Sequence, residues 1–126
     1  MLNKKLIAII WNVFILIMCL VNLSNINEVK KISIPNLDKV VHFMFYTTSA
    51  FLWCWALLNK KTKAYRLNLT LIVFGLILFG LLIEFLQDIV PTQRSFEWLD
   101  VVCNTLGVLF GTALYLLYTK FKPHHS

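Results

Sequence analysis

The stretch Leu67–Leu86, LNLTLIVFGLILFGLLIEFL, decides the fold. Its one charged residue is Glu84, and its polar and apolar positions do not alternate. A helix of about 20 such residues crosses the hydrocarbon of a bilayer. In lipid only helices and closed barrels satisfy every backbone group, and the missing alternation argues against a barrel strand. Three further runs have the same character. The reading is an all-α membrane protein: a single-domain bundle of four transmembrane helices over about 6–23, 40–58, 67–86 and 101–118.

Composition agrees. The 126 residues are 59 % apolar and 14 % charged, with a mean hydropathy of +0.73. A soluble domain carries about a quarter of its residues as charges, so much of this surface must meet lipid. The net charge of +6 does not indicate a nucleic-acid partner. The bases lie in short clusters between apolar runs, and no RNA- or DNA-binding pattern is present. Cys19, Cys54 and Cys103 each lie within an apolar run without a CxxC spacing, which reads as small buried hydrophobes rather than a disulfide framework or zinc site.

Orientation follows from where the bases fall. Lys4 and Lys5 precede the first helix, Lys60, Lys61, Lys63 and Arg66 fill the second connection, and Lys120 and Lys122 follow the fourth helix, all without an acid nearby. Lys30, Lys31, Lys39 and Arg94 are mixed with every acid except Glu84. By the positive-inside rule both termini and the Asn59–Arg66 loop are cytoplasmic, and Ser24–Asp38 and Asp88–Asp100 face outward. The first run follows two lysines, as a signal peptide would. It is longer than an h-region, and no small-x-small site follows Val21, so it reads as an uncleaved helix.

Ionisable residues inside a span are costly and need a reason. Here they gather near the outer boundary. The second helix opens with Asp38, His42 and Tyr46, four residues apart and so on one face. The third ends with Glu84, Gln87 and Asp88, and the fourth carries Asp100, Asn104, Gly107 and Gly111. At about 1.5 Å per residue these stripes meet at one depth, which predicts a single outward-opening polar site. Gly107 and Gly111 form a GxxxG that lets helices approach closely. The match between LDxVxH at 37–42 and LDxVxN at 99–104 points to two related hairpins, helices one–two and three–four.

The pattern Asp38-Lys39-x-x-His42-Phe43-x-x-Tyr46, then Glu84-x-x-Gln87-x-x-x-Pro91-x-x-Arg94, then Asp100-x-x-x-Asn104-x-x-Gly107-x-x-x-Gly111 resembles the VanZ-like family. That family is named for a teicoplanin-resistance accessory protein. The resemblance covers helices two to four. It implies a bacterial cell-membrane protein with an envelope-related role and supplies no reaction, cofactor or oligomeric state.

Each polar residue admits a structural and a functional role. Asp38 and Asp100 suit helix N-termini, where they complement the macrodipole. Gln87 and Asn104 suit interhelical hydrogen bonds. His42, one turn from Asp38, suits a general base, and Tyr46 a buried partner for His42 or Glu84. Glu84 suits an acid, a proton shuttle or, with His42 and Asp38, a ligand of a divalent metal. Arg94 suits a phosphate or carboxylate. The tryptophans and tyrosines near the span ends, Trp11 and Trp53 among them, suit interfacial anchors.

Two functions fit. In the first, Asp38, Tyr46, Gln87, Arg94, Asp100 and Asn104 bind a membrane-lipid headgroup, a lipid-linked wall precursor or a lipoglycopeptide. In the second, His42 and Glu84 catalyse acid/base or metal-assisted turnover of such a lipid. A transport path is disfavoured because the inner halves carry little polarity beyond Asn12, Ser49 and a few threonines.

Overall fold

The structure, a computed structural model, describes residues 3–20, 37–89 and 96–122, with the side chain of Asp38 outside that set. Its elements are α1 (Lys4–Leu20), α2 (Leu37–Leu57), α3 (Tyr65–Ile89) and α4 (Trp98–Phe121). Each expected apolar run is a helix. All four helices begin two or three residues before their apolar runs, because the flanking residues continue the hydrogen-bonded spiral past the hydrocarbon. Residues 21–23 of the first expected span lie outside the described set.

Local chemistry sets several of these ends. Asn3 accepts the Lys5 N–H through its side chain at 3.0 Å, and so caps α1. Between α2 and α3, Asn59 accepts the Lys61 N–H through Oδ1 at 3.0 Å, while its carbonyl accepts from Thr62 Oγ1 at 2.9 Å. An asparagine that bonds its own backbone two residues on turns the chain tightly. Glu97, at the start of α4, makes no side-chain cap.

The helices α2, α3 and α4 are long and apolar enough to cross a membrane. The described part of α1, 17 residues long, rises about 26 Å, just short of a 30 Å hydrocarbon core. The bundle's polarity is inverted relative to a soluble one. Leu71, Phe74, Leu78, Leu82 and Phe85 form an exposed stripe along α3, while His42, Glu84, Gln87, Asp100 and Asn104 are buried. Water would reverse that arrangement, so lipid is the solvent of the outer face.

Contacts fix the packing order. Helices α2 and α4 run parallel at the centre, pairing His42 with Asn104 and Phe51 with Tyr115. Gly107 and Gly111 set how close they come. A β-carbon at Gly107 would lie 2.6 Å from the Phe43 carbonyl oxygen, and one at Gly111 would run into the Thr47 carbonyl. Antiparallel to both, α3 packs Gly80 beside Tyr46 and Asn104. Along α2 lies α1, where Trp11 Nε1 donates to the Phe45 carbonyl at 3.0 Å and Asn12 accepts from Ser49 Oγ. Trp11 is therefore a bundle tie rather than an interfacial anchor, because its indole N–H finds an acceptor inside.

The two hairpins are not equivalent. Among the described residues α3 packs on α2, whereas α1 makes no packing contact with α4. The alternating direction of the helices brings the start of α1, the α2–α3 turn and the end of α4 to one end. Lys4, stacked on Trp55 at 4.6 Å, marks that end. Lys4, Lys5, the bases of the α2–α3 turn and those at the end of α4 thus share one side, and the buried polar residues, with Lys39, lie toward the other.

Candidate functional site

Three helices carry the polar residues to one place. His42 Nδ1 lies 3.0 Å from Asn104 Oδ1 and 3.7 Å from Glu84 Oε1. His42, Glu84 and Asp100 each present a ligand-type atom within 4.8 Å of the other two. Their exposures are 2 %, 0 % and 3 %, with Asn104 at 2 % and Gln87 at 1 %. The stripes on α2, α3 and α4 meet at one depth, as their spacing predicts. The members of the site are buried among the helices, and the outer connections at 21–36 and 90–95 lie outside the described residues. Close approach of α2 and α4 at the two glycines draws Asn104 and His42 inward.

Individual roles also differ from expectation. Asp100 is no N-cap; that position is Glu97, and Asp100 is buried in the first turn, 3.7 Å from Lys39 Nζ. Its carboxylate still complements the helix dipole. His42 is joined to Asn104 and faces Glu84, while the Asp38 side chain expected to orient it lies outside the described residues. Arg94 lies outside them too. Tyr46 is fully buried one turn below His42, its ring 6.2 Å from that of Phe79 and its hydroxyl in the electrostatic field of Glu84. Asp88 is exposed and accepts the Phe96 N–H at 3.4 Å, so it leaves the inward face shared by Glu84 and Gln87. It occupies the last turn of α3.

Gln87 acts as the interhelical tie its residue type suits. Its Nε2 donates to the Cys19 carbonyl at 2.8 Å, joining α3 to the end of α1. Gln87→Leu is expected to lower stability by about 0.6–1.5 kcal/mol through loss of this bond. Thermal melting of the detergent-purified protein, compared with wild type, checks it.

Two residues of the site escape sequence reasoning. Lys39 counts there as a charge in an outer segment and a position of the family pattern, without a role in the site; in the structure it donates to Glu97 Oε2 at 3.0 Å and faces Asp100. Gly80, which neither motif includes, lets α3 settle against Asn104 and Tyr46. The signal for Lys39 was available, because it lies three residues before His42 and thus on the same side of α2.

A cavity of about 450 Å³ lies apart from the cluster, in the basic half between α1, α2 and α3. Asn12, Trp53, Asn68, Ile72, Gly75 and Phe79 line it. Trp53 faces this cavity and is not a simple interfacial anchor. From Gly75 to Glu84 is nine residues of α3, about 14 Å along the axis.

Chemically, the cluster joins an imidazole, two carboxylates and a primary amide, with an ammonium at its rim. Such a set can hold a cation, move a proton between His42 and Glu84, or orient a polar headgroup. An uncharacterized protein of the fission yeast Schizosaccharomyces pombe is 31 % identical over 121 residues, which cover 94 % of this chain and 67 % of that protein. No solved structure gives a significant match. The VanZ/LLP1 family model matches residues 4–119, a span that takes in all four helices but the last two residues of α4. The chain belongs to the VanZ/LLP1 family, and it is built as a multi-pass membrane protein of that family.

Proposed function

We propose that this VanZ-like protein has four transmembrane spans with both ends cytoplasmic, and binds the polar headgroup of a membrane lipid at the outer end of its bundle. The observation that carries this reading is the convergence of His42, Glu84, Asp100 and Asn104 from three helices at one depth. A bundle that needed only packing would fill this place with apolar side chains at lower cost. The basic end, with Lys4, Lys5, the second connection and Lys120, supports the orientation.

The headgroup most consistent with the family's reach is that of a phospholipid. The relative in fission yeast places the fold outside bacteria as well, so a wall precursor or a glycopeptide antibiotic is a narrower ligand than a phospholipid common to both. Lys39 at the rim and Arg94 in the adjoining loop supply positive charge for a phosphate. In a bacterial host this reading makes the protein an envelope-lipid binder of the cell membrane, and changed susceptibility to lipoglycopeptides follows from altered surface lipid.

A second reading is an enzyme acting on the same headgroup. The 3.7 Å approach of His42 Nδ1 to Glu84 favours it, because an imidazole beside a carboxylate is the pairing that proton transfer uses.

Arg94→Ala separates headgroup binding from packing. Cells carrying this variant at wild-type membrane levels are expected to lose any lipid or drug-susceptibility effect that wild type confers. Susceptibility testing and envelope lipidomics on matched strains check this. An unchanged phenotype beside a clear wild-type effect removes Arg94 from the site.

A further inference from the structure

We propose that His42, Glu84 and Asp100 bind one divalent transition-metal ion of the Mn²⁺ or Zn²⁺ class. Each residue comes from a different helix, so the three helices form the ligand set only when packed. Their ligand-type atoms lie within 4.8 Å of one another, and Glu84 Oε1 is 3.7 Å from His42 Nδ1. Metal–ligand bonds of about 2.0–2.2 Å place neighbouring ligand atoms roughly 3–4 Å apart. Rotamer shifts of under about 1 Å therefore gather all three around one ion.

Two further groups point to the same spot. The Tyr46 hydroxyl, fully buried and in the field of Glu84, makes no hydrogen bond among the described residues. Asn104, 2 % exposed, places Oδ1 on His42 while its Nδ2 makes none. A water on the ion gives the Tyr46 hydroxyl a partner. Asn104 Oδ1 meets the same His42 Nδ1 that faces Glu84, so an ion bound at that nitrogen replaces this hydrogen bond and takes Asn104 Oδ1 as a further oxygen ligand.

Ligand chemistry selects the ion. Imidazole suits zinc and the later divalent metals, whereas carboxylates and water also suit manganese; an all-oxygen shell would be wanted for Mg²⁺ or Ca²⁺. An ion here gives an acid-lined site affinity for a phosphate. That consequence rests on the headgroup reading above, while the ion site itself does not.

The test uses the full chain in detergent, carrying His124→Ala and His125→Ala to remove the tail imidazoles. The protein is stripped with chelator, dialysed against Mn²⁺ or Zn²⁺, and assayed for bound metal and melting temperature. The expected result is about one ion per chain, with a raised melting temperature, since a ligand that binds only the native state stabilises it. Glu84→Gln and Asp100→Asn should each weaken retention at least about tenfold. Should a variant fail to fold, the tail-substituted protein labelled with ¹⁵N-histidine decides, because His42 is then its one histidine and bound Mn²⁺ must show coupling to its nitrogen. No retained ion, equal retention by folded variants, or no histidine coupling overturns the proposal. Phospholipid co-purified from the same samples is scored in parallel. Ion without lipid upholds the ion site and fails the headgroup reading; lipid without ion does the reverse.

Discussion

Gly111→Leu is expected to abolish accumulation of folded protein, the largest structural effect of any single change in this bundle. The reason lies in what the new side chain would meet. Its β-carbon would enter the Thr47 carbonyl on α2, a backbone group that cannot rotate aside. Helices α2 and α4 would have to separate, opening the pairings of His42 with Asn104 and Phe51 with Tyr115 together. Overpacking a well-filled core costs about 1–3 kcal/mol where side chains can adjust. Here the obstacle is backbone, and the total stability of a domain is only about 5–15 kcal/mol. Gly107→Leu should behave alike, since its β-carbon would lie 2.6 Å from the Phe43 carbonyl oxygen. Gly75→Leu is the contrast, for nothing lies within 4 Å of that position and the side chain enters the cavity. Size-exclusion profiles and melting curves of the three variants check the set. A well-folded Gly111→Leu protein would show that α2 and α4 do not meet as described.

Glu84→Gln is expected to do the opposite, keeping the fold while losing the function. The substitution preserves volume and removes a charge from a fully buried position. On insertion scales a charge at mid-membrane costs about 2.5–3.5 kcal/mol and less near the ends, so after chelator stripping the amide variant should be at least as stable as wild type. A packing network predicts a destabilised variant, because its members lose a charged partner. A functional site predicts a stable and inactive one, as sites that serve chemistry commonly sacrifice stability. The melting temperature and the binding readout therefore move in different directions under the two accounts.

The legibility of this chain in its sequence was uneven, for physical reasons. Hydrophobic runs interrupted by polar clusters specify helices in lipid almost without ambiguity, and all four helices lie where the runs place them. The shared depth of His42, Glu84 and Asn104 was also legible, because a helix rises evenly and residues four apart share a face. Gln87 needed only its residue type and position to be read as an interhelical tie. The deep burial of the site's side chains was not legible. It depends on how closely α2 and α4 approach, and although GxxxG signals close packing, it does not name the partner helix. Asp100 shows the same limit. Its place at a helix start suits a cap, and only the neighbouring helices turn it inward toward Lys39 and His42. Lys39 was read for topology and as a position of the family pattern but given no role in the site, since a lysine near the membrane surface usually marks only the boundary. Gly80 looked like one small residue in an apolar run, yet Asn104 packs against it.

The central claim is that the buried cluster binds a lipid headgroup rather than holding the helices together. Its most direct test is mass spectrometry of the lipids that co-purify with wild type and Glu84→Gln, at equal protein and with both melting temperatures measured after chelator stripping. The account predicts a phospholipid class enriched on wild type and reduced at least about tenfold on a Glu84→Gln protein that melts no lower. The same lipids on both proteins, together with a lower melting temperature for the variant, would contradict it and leave the cluster as packing alone.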